Sequence, residues 1–448
     1  LQVDRWMAFT VKEFWDAPVD APPFHADLDT HARRVRELVT GAVEKRLVSD
    51  VPVGALLSGG IDSAVVVGLM REHLEGLQTF TVGFEAGPST EKLNADLVLA
   101  RVTARHFRTT HHEVVVDRRT DLLDLLRRAV WHLDEPNANP TVVSTLVVAA
   151  LAREHGVKVI LSGDGGDELF AGYPRYLYDR YVQLAGRVPP AVRGAVLAIL
   201  GAVPDVGSLG QLRRLLAKTA SLEHLDAAGR YLAWRGQFSL AEQEALLSPE
   251  LLAALPGYDP RRSVAWYMDR HSPPSFQERL SYTDLKLWIA DESSMRLDRA
   301  TMAVSLEARV PFLDHALVEY AMRIPFRVKM KGTHTKYLLR RAFAHLLPDQ
   351  ITAGRKRGFG SPVRWWTQTY LQDQIDQILA QDAVRRAGLL NWEGVASLRR
   401  GEGWVRSPVK LWAALVLQLW SEAFLSSTPD TGWPVPVRQV ALRRHGPS

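Results

Sequence analysis

Two short apolar runs, each followed at once by a loop of glycine, serine and aspartate, constrain the fold of this 448-residue chain most. Residues 51–57 lead into Ser-Gly-Gly-Ile-Asp-Ser at 58–63, the first loop, and residues 157–161 lead into Ser-Gly-Asp-Gly-Gly-Asp at 162–167, the second loop. Short apolar runs that end in glycine are typical of buried strands. Helical spacing follows the first loop, so a strand–loop–helix unit is predicted there.

Further strands and helices alternate between the two loops. Strands are predicted at 79–84 and 111–116, and helices at about 96–107, 122–133 and 141–155. This alternation predicts an α/β fold with a doubly wound, mostly parallel sheet. Right-handed crossovers place the carboxyl ends of such strands at one edge, so the two loops should meet there.

The remainder of the chain divides by composition. A proline-rich stretch at 17–24 predicts a linker, and beyond about residue 180 the strand signal fades into a long series of helices. The predicted segments are strand-like pieces (6–10 and 11–15) with the linker in 1–25, an α/β core in 26–180, a helical half in 181–425, and a loose tail in 426–448.

Net charge, cysteine content and the length of apolar runs exclude several classes of function. The formal charge of +5 suits an anionic substrate such as a nucleotide and is too diffuse to indicate nucleic acid. The chain has no cysteine, which excludes disulfides, thiolate zinc sites and a cysteine nucleophile within it. No apolar run is long enough to span a membrane and no signal peptide is recognised, so a cytoplasmic protein is expected. Because the chain opens with Leu1, it is expected to be a piece of a longer polypeptide.

The first loop has the features of a phosphate site. Gly59 and Gly60 let the backbone approach an anion, the following helix presents its free N–H groups, and Ser58 and Ser63 add hydroxyl donors. A Walker loop would place a lysine here, but the chain has Asp62, and a carboxylate beside phosphate requires a cation. Asp62 is therefore predicted to bind Mg²⁺, the alternative being a plain capped strand–helix turn.

The second loop concentrates negative charge. Asp164, Asp167 and Glu168 follow a buried strand among several glycines. Carboxylates this close need a metal, a basic side chain or a shared proton to balance them. The alternative is a calcium-type or plain acidic surface turn.

Together the two loops, the lead-in at 51–57 and the residues Glu-Leu-Phe-Ala-Gly-Tyr at 168–173 resemble the synthetase half of the glutamine-hydrolysing asparagine synthetase family. The resemblance covers about residues 11–425 and implies an adenine nucleotide alpha hydrolase-like fold with a pyrophosphatase (PP) loop. Asn139 departs from the pattern, because aspartate is common at that position.

The resemblance also implies residue roles. Asp62 and Asp167 would bind Mg²⁺, Asp164 would accept a proton from attacking ammonia, and Lys356 would stabilise charge on the phosphates, with Lys336 as a weaker candidate for pyrophosphate. The residues implied in ATP binding are Leu56, Ser58, Gly59, Gly60, Asp62, Ser63, Val82, Ser162 and Gly163. Three residues of the matching segment at 302–314, Glu307, Arg309 and Asp314, are predicted either to form a buried ion-pair network or to contact substrate, and the structural network is favoured.

The implied reaction uses ATP and Mg²⁺ to convert the side-chain carboxylate of aspartate to an acyl-adenylate, from which ammonia displaces AMP to give asparagine. Residues 1–16 resemble the end of the family's glutaminase domain, which this chain lacks. Ammonia is therefore expected from solution, or from glutamine through that domain or a partner, and no glutaminase activity is expected of the chain itself. A homodimer is one option for its assembly.

Three alternatives stay open. β-Lactam synthetases and lasso-peptide macrolactam synthetases share the scaffold and use an amine in place of ammonia. A tRNA-modifying PP-loop enzyme is less favoured, since the long helical half does not resemble that class. A non-catalytic interaction module is disfavoured because Asp62, Asp164, Asp167 and Lys356 are all present.

Overall fold

A computed structural model describes residues 9–85, 87, 90–177, 224–271, 275–354, 360–401 and 407–425, with positions 2–3 and a few between 182 and 222. Lys356 and the predicted tail at 426–448 lie outside the described residues.

A five-stranded parallel sheet organises the structure, in the order β5-β4-β3-β6-β7. In its centre, Ala55 of β3 is paired with Thr79 of β4 on one side and with Leu161 of β6 on the other. The strands are β3 (Val53–Leu56), β4 (Gln78–Phe84), β5 (Thr110–Val116), β6 (Val159–Leu161) and β7 (Glu307–Arg309), preceded by a separate antiparallel pair of β1 (Gln2–Val3) and β2 (Phe9–Thr10). The predicted doubly wound parallel sheet is confirmed.

Helices cover both faces of the sheet, because its strands are apolar on both sides. Ala55 and Leu161 pack into one cluster with α1–α3, whereas Phe80 and Val114 pack into another with α4 and α5. These helices are α1 (Leu28–Leu47), α2 (Ile61–His73), α3 (Glu91–Phe107), α4 (Leu122–Leu133) and α5 (Thr141–Glu154).

The rest of the described chain is helical apart from β7. Its helices are α6 (Gly166–Leu169), α7 (Ala227–Arg235), α8 (Leu240–Leu246), α9 (Pro249–Ala254), α10 (Arg261–Asp269), α11 (Phe276–Thr283), α12 (Met295–Met302), α13 (His315–Met322), α14 (Phe326–Lys329), α15 (Tyr337–Phe343), α16 (Asp349–Ala353), α17 (Val363–Trp365), α18 (Gln372–Ile378), α19 (Gln381–Ala387), α20 (Trp392–Arg400) and α21 (Pro408–Phe424). Two π-helices, Asp284–Ser294 and Trp366–Tyr370, and one 3₁₀ turn, Pro311–Leu313, complete it. In the part of the chain that the structure describes, no helix is both long and apolar enough to cross a bilayer.

Two predictions about strands are wrong. Residues 11–15 form no strand, and most of their side chains are exposed, so no partner strand stabilises the alternating pattern there. The helical half does contribute a strand, because Glu307–Arg309 pairs with β6 at the sheet edge. Three residues are too few to show a strand periodicity.

Candidate active site

The first loop is held in shape by its two serines. The Ser58 N–H donates to Ser63 Oγ at 3.2 Å, the two hydroxyls share a hydrogen bond of 3.0 Å, and Ser63 Oγ donates to the Gly60 carbonyl at 3.1 Å. The loop ends where α2 begins, at Ile61. It therefore presents the N-terminus of a 13-residue helix, where backbone N–H groups and the helix dipole favour an anion.

Gly59 adopts φ +73°, and a Cβ added there would overlap the backbone carbonyl of Asp96. Gly76 has a similar φ of +66° but open space around it. We expect Gly59→Ala to lower the free energy of unfolding by about 1–3 kcal/mol more than Gly76→Ala, because only the first substitution adds a clash to the backbone strain. Urea unfolding of both variants measures the difference. If both variants lose the same free energy of unfolding, α3, which carries Asp96, moves away from the added Cβ without cost.

The two loops touch each other. A Cβ added at Gly163 would lie 2.6 Å from the Ser63 backbone nitrogen, and one at Gly166 would lie 2.5 Å from Asp62 Oδ1. Only glycine allows approaches this close. The carboxylates of Asp62 and Asp167 are brought together by this contact.

Lys336 lies between these two carboxylates. Its Nζ contacts Asp62 Oδ2 and is 2.5 Å from Asp167 Oδ1, and its side chain is 0% exposed. The ammonium thus stands where the sequence predicts a Mg²⁺ ion. The described residues contain no group of three or more His, Cys, Asp or Glu side chains that could hold a metal. Two carboxylates still fit Mg²⁺, provided that phosphate oxygens and water supply the remaining ligands.

Asp164 is fixed by two serines. Its Oδ2 accepts from Ser162 Oγ, and its Oδ1 accepts from Ser293 Oγ at 3.1 Å. Ser293 belongs to the longer π-helix, and its hydroxyl in turn accepts from Arg296 Nη2 at 3.3 Å. Because π-helical turns are rare and often occur at functional sites, this segment is a candidate part of the site.

Polar residues of the same π-helix form a wall with Asn139. Glu292 Oε1 accepts from Asn139 Nδ2 and from Arg296 Nε, both at 2.8 Å. An aspartate at position 139 could not donate to Glu292, so the amide suits this contact. Glu292, Ser293 and Arg296 were not among the site residues predicted from the sequence. The signal that could have found them is the polar run Asp-Glu-Ser-Ser at 291–294 within an otherwise amphipathic stretch.

Glu168 is buried behind Asp167 and accepts a hydrogen bond from Tyr173 Oη at 2.6 Å. Burial, followed by repulsion from Asp167, raises the pKa of Glu168 to about 7. The folded state therefore binds more protons than the unfolded chain between the ordinary glutamate value of 4.5 and about 7.

The free energy of unfolding should consequently fall as pH rises through this window, and the loss should be complete above it. We expect Glu168→Gln to remove this contribution. The free energy of unfolding of the variant, relative to that of the wild type, should therefore rise by roughly 3 kcal/mol between pH 4.5 and pH 8. Denaturant unfolding of both proteins at a series of pH values measures the gain. Parallel stability curves would contradict it.

A cavity of about 650 Å³ opens between the loops, β4 and the π-helix. This volume lies in the range of small-molecule sites. Of the predicted site residues, it is lined by Leu56, Ser58, Asp62, Ser63, Val82, Ser162, Gly163, Asp164 and Asp167. Gly59, Gly60 and Lys336 are not among its lining residues, and Lys356 lies outside the described residues.

The segment at 302–314 does not line this cavity. Asp314 pairs with Lys45 at 3.2 Å and with Arg46 at 3.0 Å, whereas Arg309 pairs with Glu307 at 2.8 Å. Asp314 also caps α13 through the Ala316 N–H. The Asp314 contacts join the helical half to α1. The roles are structural, but the three residues form two separate pairings and not one buried network, because Glu307 is exposed.

A family model described as asparagine synthase matches residues 34–422. The chain is 31% identical over 363 residues to "Asparagine synthetase [glutamine-hydrolyzing] 1" of Bacillus subtilis, covering 80% of this chain and 54% of the relative. It is 29% identical over 374 residues to "Asparagine synthetase [glutamine-hydrolyzing] 3" of the same organism, with 79% and 54% covered. It is also 26% identical over 417 residues to "Amidase chyE" of Penicillium rubens, with 85% and 60% covered. The chain thus spans little more than half the length of these relatives.

Proposed function

The chain belongs to the asparagine synthase family, and on that premise we propose that it is an ATP-dependent ligase that forms an amide through an acyl-adenylate. One observation carries the proposal: two glycine-rich loops at neighbouring strand ends meet beside one cavity, with Asp62, Asp164 and Asp167 in its lining. Ligands of open α/β sheets bind at this edge.

ATP would bind across the first loop. The N–H groups at the start of α2 suit the phosphates, and Leu56 and Val82 provide apolar surface for the adenine. Asp62 and Asp167 would hold a Mg²⁺ ion, which supplies positive charge beside the phosphates when bound. The Lys336 ammonium contacts the same two carboxylates, and it would stabilise the negative charge on the leaving pyrophosphate.

We propose aspartate as the carboxylate substrate and ammonia as the nucleophile. A side-chain carboxylate oxygen attacks the α-phosphorus, the α–β phosphoanhydride bond breaks, and pyrophosphate leaves. Ammonia then attacks the acyl carbon, a proton passes to Asp164, and AMP leaves with the electron pair of the acyl–oxygen bond. The loops and the π-helix act mainly by positioning these reactants.

A lactam-forming reaction is the second candidate, and one observation favours it. Asn139, whose side-chain amide donates to Glu292 in the cavity wall, stands where the family commonly has aspartate, near the expected amino-acid substrate. An amine within the substrate would then replace ammonia, and Asp164 would accept its proton in the same way.

ATP–pyrophosphate exchange with a panel of carboxylates tests the proposal. Exchange that depends on aspartate supports the asparagine reaction, and exchange only with a β-amino acid or peptide supports lactam formation. An Asp62→Asn variant should abolish exchange in either case, which controls for contaminating enzymes. No exchange with any acid would overturn the proposal.

A further inference from the structure

The Lys336 ammonium reaches the two proposed metal ligands from inside the protein. Asp62 and Asp167 both line the cavity, whereas Lys336 is not among the lining residues and its side chain is 0% exposed. Its Nζ contacts Asp62 Oδ2 and lies 2.5 Å from Asp167 Oδ1. One oxygen of each carboxylate is therefore already in contact with a cation that belongs to the chain.

The fold holds Lys336 in this place. Its φ of +54° lies in the left-handed region, which a residue with a Cβ keeps only where surrounding contacts fix it. Arg340 supplies two such contacts, since its Nε donates to the Thr335 carbonyl at 3.2 Å and its backbone N–H donates to the Lys336 carbonyl at 2.9 Å. A Cβ added at Gly172 would overlap Lys336 Cε, so glycine there leaves room for the lysine side chain. The position of the ammonium is thus set by the structure around it.

A divalent ion at this site would lie beside the ammonium. An ion that binds both carboxylates must lie within a few ångströms of an ammonium that contacts both, and cations this close repel each other. The ammonium also cancels one of the two negative charges that attract the ion. Phosphate oxygens change this balance, because they bring negative charge for the ammonium and further ligands for the ion.

We propose that Lys336 makes the metal site specific for a divalent ion bound to the nucleotide, because its ammonium excludes the free ion. The inference rests on the proposed function, from which it takes Asp62 and Asp167 as the metal ligands. Binding of the ion and binding of the nucleotide are then coupled, and each strengthens the other by the same factor.

Further charged residues line the cavity, among them Asp96, Asp164, Glu168, Arg235, Glu292 and Arg296. Arg235 donates to the buried Asp284, which it shares with Arg175. Substitution of Lys336 leaves all of these side chains in place, so their charges act alike on an ion in wild type and variant. A difference in ion binding between the two proteins therefore reports on the ammonium.

Mn²⁺ tests the inference without any reaction, because it prefers the same oxygen ligands as Mg²⁺ and its electron paramagnetic resonance signal falls on binding. Without nucleotide, we expect Lys336→Met to bind Mn²⁺ about tenfold more tightly than the wild type or better, since the repulsion from one adjacent charge is removed. Addition of α,β-methylene-ATP should then tighten Mn²⁺ binding by the wild type much more than by the variant.

Three control variants assign the effect. Lys331→Met removes an exposed lysine nearby and should bind Mn²⁺ as the wild type does. Lys336→Arg keeps the positive charge and should also resemble the wild type. Adding Asp62→Asn to Lys336→Met should abolish the gain. The inference is overturned if Lys336→Met binds Mn²⁺ no more tightly than Lys331→Met, or if the gain survives Asp62→Asn.

A second measurement applies if Lys336→Met does not fold in EDTA. Because the ion and the ammonium balance the same carboxylates, refolding in MnCl₂ should recover the circular dichroism spectrum of the native protein. Refolding in KCl of the same ionic strength should not. A variant that stays unfolded in MnCl₂ contradicts the inference, since the ion then does not replace the ammonium.

These results are separable from the exchange assay. If no acid supports ATP–pyrophosphate exchange but Lys336→Met gains Mn²⁺ binding, the proposed ligase activity fails and the competition between Lys336 and the ion stands. If exchange depends on aspartate and the gain is absent, the proposed function stands and the role of Lys336 in excluding the free ion is refuted.

Discussion

Replacing Lys336 by methionine is expected to lower the free energy of unfolding by about 3–5 kcal/mol, the range for removing one partner of a buried ion pair. The ammonium contacts Asp62 and Asp167, and all three side chains are largely buried. Methionine has nearly the same shape but no charge, so two carboxylates held together by loop contacts lose the cation between them. Denaturant unfolding at neutral pH measures the effect.

Two further variants make this expectation specific. Lys331→Met removes an exposed lysine five residues away and should change stability by no more than about 0.5 kcal/mol. Adding Asp167→Asn to Lys336→Met should recover much of the loss, because it removes one of the two unbalanced charges. Should Lys336→Met unfold at the same denaturant concentration as Lys331→Met, the ammonium does not balance the two carboxylates.

Asp164→Asn is expected to slow amide formation about 10²–10⁴-fold, the usual contribution of a general base. Asparagine keeps the size and one acceptor oxygen of the side chain, so the hydrogen bonds from Ser162 or Ser293 survive in part. Adenylation needs no proton acceptor. Exchange of pyrophosphate into ATP should therefore continue while ammonia-dependent AMP release falls.

Rapid-quench measurement of acyl-adenylate and amide distinguishes the two steps. The variant should accumulate adenylate, whereas the wild type should not. Ser293→Ala, which removes only one hydrogen bond to Asp164, provides the control and should reduce amide formation far less. A variant whose exchange and amide formation fall together would show that Asp164 positions the nucleotide and is not the base.

The local elements of the α/β half follow from its sequence. Helix α4 was predicted at 122–133 and spans Leu122–Leu133, and the predicted strand at 79–84 corresponds to Gln78–Phe84. Apolar periodicity and glycine loops encode such elements because both act on neighbouring residues. The same reasoning failed for residues 11–15, since a strand needs a partner that local sequence does not reveal.

The site itself is only partly local. Gly59 and Gly163 could be recognised from their loops, and both allow the close approaches that the structure shows. The sequence indicated a cation for Asp62 and Asp167 but not that Lys336 would already stand between them. Lys336 was a weaker candidate because several basic residues surround it in the sequence, and the sequence does not reveal its distance from either carboxylate.

What the sequence determined by itself is the parallel sheet, the two loops at its edge and the membership of the family, because each depends on short segments with strong local preferences. Tertiary structure alone decided that Lys336 reaches Asp62, 274 residues away, and that a π-helix places Ser293 against Asp164. It also decided that Arg235 shares Asp284 with Arg175 inside the cavity wall. Contacts between distant side chains depend on how whole elements pack, and no local pattern encodes that packing.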